Sequence, residues 1–447
     1  MHEPRCGPRR STRRRRAAMA AVAAGLSTVL AATLSACSQS SGSVSHGITL
    51  TFTWWGNDDR AARTEKAVEL FEKEHPGVTV RTNSSDFGSY LQKLATQAAG
   101  GEVPDVAQLD YRQMSQYSDG GALLPLDEDV QKGAIRTDDV DKQLLHTGAY
   151  RGKLYAVPMG QGITGFAYDA SLYEKAGLSK PKPSWTWEDW ADANRRIAKL
   201  GLKGPDGGAV TGSNDPGTNE DVFEDWLRSH GKSLYQGQER KLGFTEDDLT
   251  AFWTFCDTLR REGAIAQAKD TTQADSAEHS PMGRGLAAAD YTWDAPFPGY
   301  PPLLGDSVHF EPVPTVDGHI GAYFKPSMLM GIGAHTAHPK EAAELVDFLL
   351  NDRKAGSILG FTRSTPPNRT VAADVAKTLE GPELEIYRYA QRIRAYGVEP
   401  PPPSPPSGDV AIQSAFNRNY QRVMFGMATP RQGARELISE ANRELTS

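Results

Sequence analysis

The 447-residue chain has only three cysteines, Cys6, Cys37 and Cys256. They are too few and too widely spaced for a disulfide framework or a zinc knuckle. No GxSxG, HExxH or P-loop sequence occurs, so serine-hydrolase, metalloprotease and nucleotide-hydrolysing chemistry each lack their usual signature. Internal repeats are absent as well. Positive charge is scarce beyond residue 36: the first 36 residues hold seven arginines (Arg5, Arg9, Arg10, Arg13, Arg14, Arg15, Arg16) and one acid, Glu3, which leaves 42 basic and 55 acidic residues, a net of −13, for the remainder. An acidic body argues against a nucleic-acid binder. With 38% hydrophobic and 23% charged residues the chain is neither disordered nor a multi-span membrane protein, and its length suffices for two or three cores.

What is present begins with a targeting segment. A basic run to Arg16 is followed by a charge-free apolar stretch over 17–34 and then Leu34-Ser35-Ala36-Cys37, the order of an export signal. The stretch is Ala-rich with Gly25, a weak membrane span. The four residues resemble a bacterial lipobox, which makes Cys37 the candidate lipidation site and 1–36 a lipoprotein signal peptide. Residues 37–47, rich in Ser and Gly, then read as a flexible tether. Thr12-Arg13-Arg14 leaves both Sec and twin-arginine export open.

Past the tether the periodicity predicts strand, helix, strand, helix, strand: 48–54, 60–75, 78–82, a helix around Tyr90 to Ala98, and 105–109. This alternation favours a parallel sheet with right-handed crossovers, where ligands lie beyond the carboxyl ends of the strands. Residues 55–58, 84–87 and 110–112 therefore matter most. Further on, 155–158 and 165–168 read as extended. Thr186 with Asp189, flanked by Trp185 and Trp190, reads as a capping box and hydrophobic staple, and helices are expected at 221–231, 246–262 and 340–350. The C-terminal third is mostly helical, interrupted by 399–407 (EPPPPSPPS), a surface polyproline loop with no core of its own.

Gly160-Gln161-Gly162-Ile163-Thr164-Gly165 matches GxGxxG, but ITGFAYD reads as strand where a dinucleotide site needs a helix start. The glycines instead suit a chain crossing that flexes and approaches a ligand closely. His335 and His338 lack a third ligand for a metal. The sharper pattern is aromatic and polar side chains at strand ends and loops: Trp54 and Trp55 with Asn57 and Asp58, Asp86 with Phe87, Asp110 with Tyr111, Trp226, and Trp293 with Phe297. Tyr90, at the start of the second helix, joins them. An aromatic ring covers the C–H face of a sugar while Asp, Asn, Gln and Arg bond its hydroxyls.

Together these segments resemble the extracellular sugar-binding lipoproteins of bacterial ATP-driven importers, solute-binding family 1. The resemblance is carried by the LSAC box, LTFTWWGNDDR (50–60), FEKEHPGVTV (71–80), DFGSYLQKLATQAAGGEVPDV (86–106), GKLYAVPMG (152–160), YDASLYEKAGL (168–178) with WTWEDW after it, and PSMLMGIGAHTAHPKEAAELVDFLL (326–350). It implies a periplasmic-binding-protein-like α/β fold of two lobes, each a mostly parallel sheet flanked by helices, hinge-linked and closing on ligand. By position, lobe 1 is 48–158 plus 313–352 and lobe 2 is 159–312 plus 353–447. Trp55, Asp86, Asp110, Gln161, Trp226, Trp293 and Arg363 then occupy cleft-lining positions. The resemblance also implies a monomer without metal, cofactor or catalytic residues, anchored to the outer face of the membrane, that delivers its ligand to permease subunits. The acidic body favours a neutral sugar or oligosaccharide over an anionic one. A lipid-anchored glycoside hydrolase using two carboxylates across a similar groove, or the same fold binding another solute, are the alternatives.

Overall fold

A computed structural model describes residues 47–446 except 238 and 275. The expected leader, Cys37 and all of the tether but Gly47 lie outside the described residues. Among the described residues no helix is long and apolar enough to cross a membrane.

The first strand, β1 (Ile48–Trp55), buries Leu50, Phe52 and Trp54 on one face, the period-two pattern of its sequence. Helix α1 (Asp58–Glu74) starts where the Asn57 side chain accepts from the Arg60 amide, and it ends before Pro76 and Gly77, the latter at φ 97°. Strand β2 (Val78–Ser85) runs parallel to β1 from Ile48 opposite Val78 to Trp55 opposite Ser85. Helix α2 (Phe87–Ala99) is capped by Asp86, and β3 (Val106–Leu109) returns parallel to β1. The chain then reaches β4 (Ala156–Gly162) and passes through Ile163 into β5 (Thr164–Asp169). A later strand, β8 (Lys325–Ile332), inserts antiparallel between β3 and β4, giving the order β2-β1-β3-β8-β4.

The second sheet differs from the expectation of a mostly parallel one. Strand β5 lies between β6 (Ala289–Trp293) and β7 (Val308–Glu311), antiparallel to both. Parallel pairing near it is confined to single bridges such as Thr211 with Ala287. The partners of β5 arrive after a long helical excursion containing α3 (Trp187–Ala198), α4 (Glu220–Ser229) and α5 (Glu246–Arg261), and nothing local in the chain records their direction. Helix α3 opens on the expected capping box of Thr186 and Asp189. Trp185 and Trp190 both pack on Phe166, and the Trp185 indole donates to the Pro312 carbonyl at 2.8 Å.

Two apolar cores divide the chain. One gathers residues of 50–159 and 328–359, the other residues of 163–324 and the C-terminal helices. Val313, Ile320, Ala322 and Phe324, expected in lobe 1, pack in the second core because the chain does not enter the first sheet until Lys325. Ala355 and Leu359, expected in lobe 2, pack in the first: they sit on α7 (Arg353–Leu359), which follows α6 (Pro339–Asn351) and lies on α1. The second core is completed by α8 (Gly381–Tyr396), α9 (Asp409–Met424) and α10 (Pro430–Thr446).

The proline-rich segment between α8 and α9 is not a free surface loop. Ser404, Pro405 and Pro406 are buried. The Tyr111 hydroxyl donates to the Pro402 and Pro403 carbonyls at 2.7 and 2.8 Å, and Ser115 donates to Pro405 at 2.6 Å. From the other lobe Arg228 donates to Pro400 at 2.9 Å. Proline has no N–H to satisfy, so this strap can be buried once its carbonyls find donors.

Candidate functional site

The carboxyl edge of the first sheet faces the second lobe, and the seam between them has an outer and an inner part. In the outer part, the Asp110 carboxylate accepts from the Arg112 amide at 2.9 Å and turns the loop after β3. Arg112 then reaches across to Glu220 (2.9 Å), Asp221 (2.9 Å) and Asp409 (2.8 Å), at the starts of α4 and α9. Lys325 bonds Asp221 at 3.2 Å and lies 3.8 Å from the Trp293 ring centroid, while the Trp293 indole N–H donates to Asp221 at 2.9 Å. Tyr235 donates to Asp409 at 2.6 Å and Tyr323 to Glu224 at 2.5 Å. Burial alone would raise the Asp221 carboxyl, but Lys325 and Arg112 outweigh it and hold Asp221 well below the carboxylate range. Glu220 is raised by burial against the pull of Arg112.

The inner part surrounds the crossing at 160–162. A Cβ at Gly160 would lie 1.7 Å from the Arg363 carbonyl, and one at Gly162 would lie 2.9 Å from an Asp294 carboxylate oxygen. Close approach is therefore the physical reason for these glycines. The Gln161 amide donates to Thr365 at 2.8 Å and its side chain accepts from Arg394 at 3.1 Å. Ser364 sits at φ 65°, a left-handed conformation uncommon for a non-glycine residue. Arg363, 5% exposed, donates through Nε to Gln108 at 2.9 Å. Its Nη1 and Nη2, the Asp294 Oδ1 and the hydroxyls of Ser364 and Thr365 are buried without a hydrogen-bond partner among the described residues. Burial, with Arg60 acting in the same direction, pulls the Arg363 guanidinium down to about 9, and burial pushes Asp294 up to about 7. Beside them a cavity of about 390 Å³ opens between the lobes, lined by Asn57, Arg60 and Thr362 on one side and Ala295, Pro298 and Glu383 on the other. That volume is in the range of small-molecule sites.

Of the residues singled out by sequence, Asp110, Gln161, Trp293 and Arg363 meet at this seam. Trp55 packs against Phe87 and Tyr90, 5.4 and 5.5 Å between centroids, and offers its carbonyl to Arg60 and Gln108. Asn57 borders the cavity and caps α1. Asp58 and Asp86 are exposed, the first in the opening turn of α1 and the second as the α2 cap. Three residues leave the candidate set. Tyr90 is 3% exposed and donates to the Thr53 and Gln108 carbonyls inside the first core. Trp226, half-buried, packs on the second core against Trp187, His230, Phe252 and Phe255. Phe297 is fully buried on Phe310. An aromatic after a strand packs inward or outward according to neighbours that local sequence does not show.

Arg112 was marked only by its position within 110–112, and Arg60, Asp221, Asp294 and Lys325 were not singled out. Arg112 follows β3, an edge position that topology marks, but the others carry no local signal. One face of Trp293 carries the Lys325 ammonium here, so stacking of a sugar on the indole uses the other face or displaces that lysine. Among the described residues no group of three or more His, Cys, Asp or Glu side chains is placed to hold a metal ion.

The sequence model of the bacterial extracellular solute-binding proteins matches residues 55–355. The first curated relatives, putative binding proteins of Brucella abortus and Brucella suis, are 30% identical over 140 residues, which is 31% of this chain and 32% of theirs. An uncharacterized ABC transporter extracellular-binding protein of Pyrococcus horikoshii is 23% identical over 72% of this chain and 76% of its own. A multiple sugar-binding protein of Streptococcus mutans is 24% identical over 42% of this chain and 44% of its own. The solved structure of an extracellular solute-binding protein family 1 member from Alicyclobacillus acidocaldarius is 31% identical with a TM-score of 0.70, covering 90% of this chain and 99% of that one. With two lobes, a seam of buried polar groups between them and a family match over most of its length, the chain belongs to the bacterial extracellular solute-binding protein family.

Proposed function

We propose that this extracytoplasmic solute-binding component of an ABC transporter captures a carbohydrate between its lobes and delivers it to membrane permease subunits, without transforming it. The observation that carries the reading is the set of buried, unpartnered donors and acceptors at Arg363, Ser364, Thr365 and Asp294, with Trp293 preceding Asp294 and an interlobe cavity lined by the adjoining Thr362 and Ala295. Buried polar groups are ordinarily hydrogen-bonded, and a sugar offers hydroxyls of both kinds together with a C–H face for an aromatic ring. The sugar-binding name of the Streptococcus mutans relative points the same way. Capture would be a hinge closure about the crossings at 162–164, 324–325 and 379–381. The protein would act as a monomer held at the outer face of the membrane by a lipid on Cys37, with 48–162 plus 325–378 as one lobe and the remainder as the other.

A thermal-shift screen against mono- and oligosaccharides tests the ligand class, since a ligand at a hundredfold excess over Kd adds about 2.7 kcal/mol of stability. Calorimetric titration should then return a single site, and the bound sugar should be recovered unchanged. Steady product formation abolished by one Asp or Glu substitution would replace this reading with a glycoside hydrolase. Cys37→Ser should move the protein from the membrane fraction to the soluble one.

A further inference from the structure

The interlobe seam holds cations in two different states. Arg112 and Lys325 are each matched to carboxylates. Arg363 is not: its Nε is spent on Gln108, both Nη atoms are buried without partner among the described residues, and the charge that acts on it is another cation, Arg60. Arg60 is itself committed to carbonyls, donating to Thr362 at 2.8 Å and to Trp55 at 2.9 Å, and carbonyl dipoles do not neutralise a charge. An arginine stays protonated in a protein, so the buried Arg363 charge sits beside the half-buried Arg60 charge with no carboxylate bonded to either among the described residues. Such an arrangement is costly unless a counter-charge arrives.

Three features say where that counter-charge would come from. The two arginines lie at the carboxyl edge of the first sheet, where open α/β sheets take ligands. The 17-residue helix α1 begins beside them, and its first-turn amides favour negative charge, which Asp58 and Asp59 of that turn answer in part. The cavity of about 390 Å³ is lined by Arg60, Arg63 and Thr362, the residue before Arg363, together with the carboxylates of Asp59 and Glu383. Asp294, across the crossing at 160–162, keeps a free buried oxygen suited to a hydroxyl.

We propose that the ligand is an anionic sugar, and that Arg363 takes its carboxylate or phosphate through the unpartnered Nη1–Nη2 edge with Arg60 beside it. The inference rests on the carbohydrate reading above and revises its neutral ligand. The net charge of −13 on the body does not oppose it, because the local potential decides what enters a cleft: of the two carboxylates that line the cavity, Asp59 and Glu383, the first is paired with Arg63 at 3.0 Å. A planar guanidinium edge fits a carboxylate or a phosphate in two parallel bonds, and the two sources are separable by experiment.

The full chain is titrated calorimetrically with glucuronate and galacturonate, free and as short oligomers, with the corresponding neutral sugars, and with hexose phosphates, at low and high salt. The expected result is that a uronate or a sugar phosphate binds tighter than its neutral counterpart by on the order of 10- to 100-fold, with the preferred anion identifying the source. Arg363→Met should abolish that preference. Arg60→Met should weaken it, which tests the pair even if the first variant does not fold. If neutral sugars bind as tightly as their charged counterparts, the anionic reading falls and the carbohydrate reading stands. If no sugar of either kind binds the folded protein, both fall.

Discussion

Arg112 and Arg363 are the same residue in the same seam, and their surroundings are opposite. Arg112 contacts three carboxylates from two elements of the other lobe. Arg363 has one neutral partner and a like-charged neighbour. The first arrangement is a finished ion network that ties the lobes together at the outer part of the cleft, reinforced by the proline strap. The second is unfinished, and its missing partner is the ligand. Buried charge of the first kind serves the closed form, while that of the second kind serves recognition.

The most damaging break of this contrast should be Arg112→Ala. It removes the cation that Glu220 and Asp409 share, leaving Asp409 only the Tyr235 hydroxyl while Asp221 keeps Lys325 and Trp293, so a stability loss of about 3–5 kcal/mol is expected in urea unfolding; a loss below about 1 kcal/mol would show that the network contributes little. Second comes pH. Burial pushes Asp215, Asp225, Asp290 and Asp294 up to about 7 in the folded state, against roughly 3.9 unfolded. Between those values the folded chain binds protons the unfolded chain does not, so stability should fall as pH rises from about 4 to about 7, with Glu220, raised to about 8, carrying the fall further, by ~2 kcal/mol or more overall. Asp221, held low by Lys325 and Arg112, works in reverse: its contribution is present above its unfolded value and is lost as pH drops below about 4. A melting-temperature profile with its maximum near pH 4–5 is expected, and Asp294→Asn should reduce the slope above it.

Arg363→Met should then do the opposite of Arg112→Ala: removing an unpaired buried charge leaves the unliganded protein as stable or more stable, by about 1 kcal/mol. Early melting of this variant would mean that the guanidinium is structural. The smallest effect belongs to the strap. Tyr111→Phe removes the hydroxyl bonded to Pro402 and Pro403, costing about 1 kcal/mol, and hydrogen exchange should quicken at the amides flanking 399–407; unchanged exchange would show that the strap is held by packing alone.

Legibility in the sequence followed the range of the interaction. Strands and helices over 48–109 were readable because Leu50, Phe52 and Trp54, or Val68 and Phe71, repeat at the period of their own element. The Thr186–Asp189 capping box was readable because its two residues are three apart. The proline strap was misread for the complementary reason: its donors, Tyr111, Ser115 and Arg228, lie more than 170 residues away.

By itself, then, the sequence determined the α/β character, the order of elements in the first lobe, the glycine crossing and the family, all of which rest on local periods, caps and contiguous motifs. Tertiary structure alone decided that the second sheet is antiparallel, that Tyr90 and Phe297 lie in cores and Trp226 packs on one, and that Arg112 meets Asp409 across 297 positions while Arg363 meets no carboxylate among the described residues. Whether a charge is paired, or an aromatic buried, depends on which distant side chains the folded chain brings within a few ångströms, and that information is not carried by the residue or its neighbours in sequence.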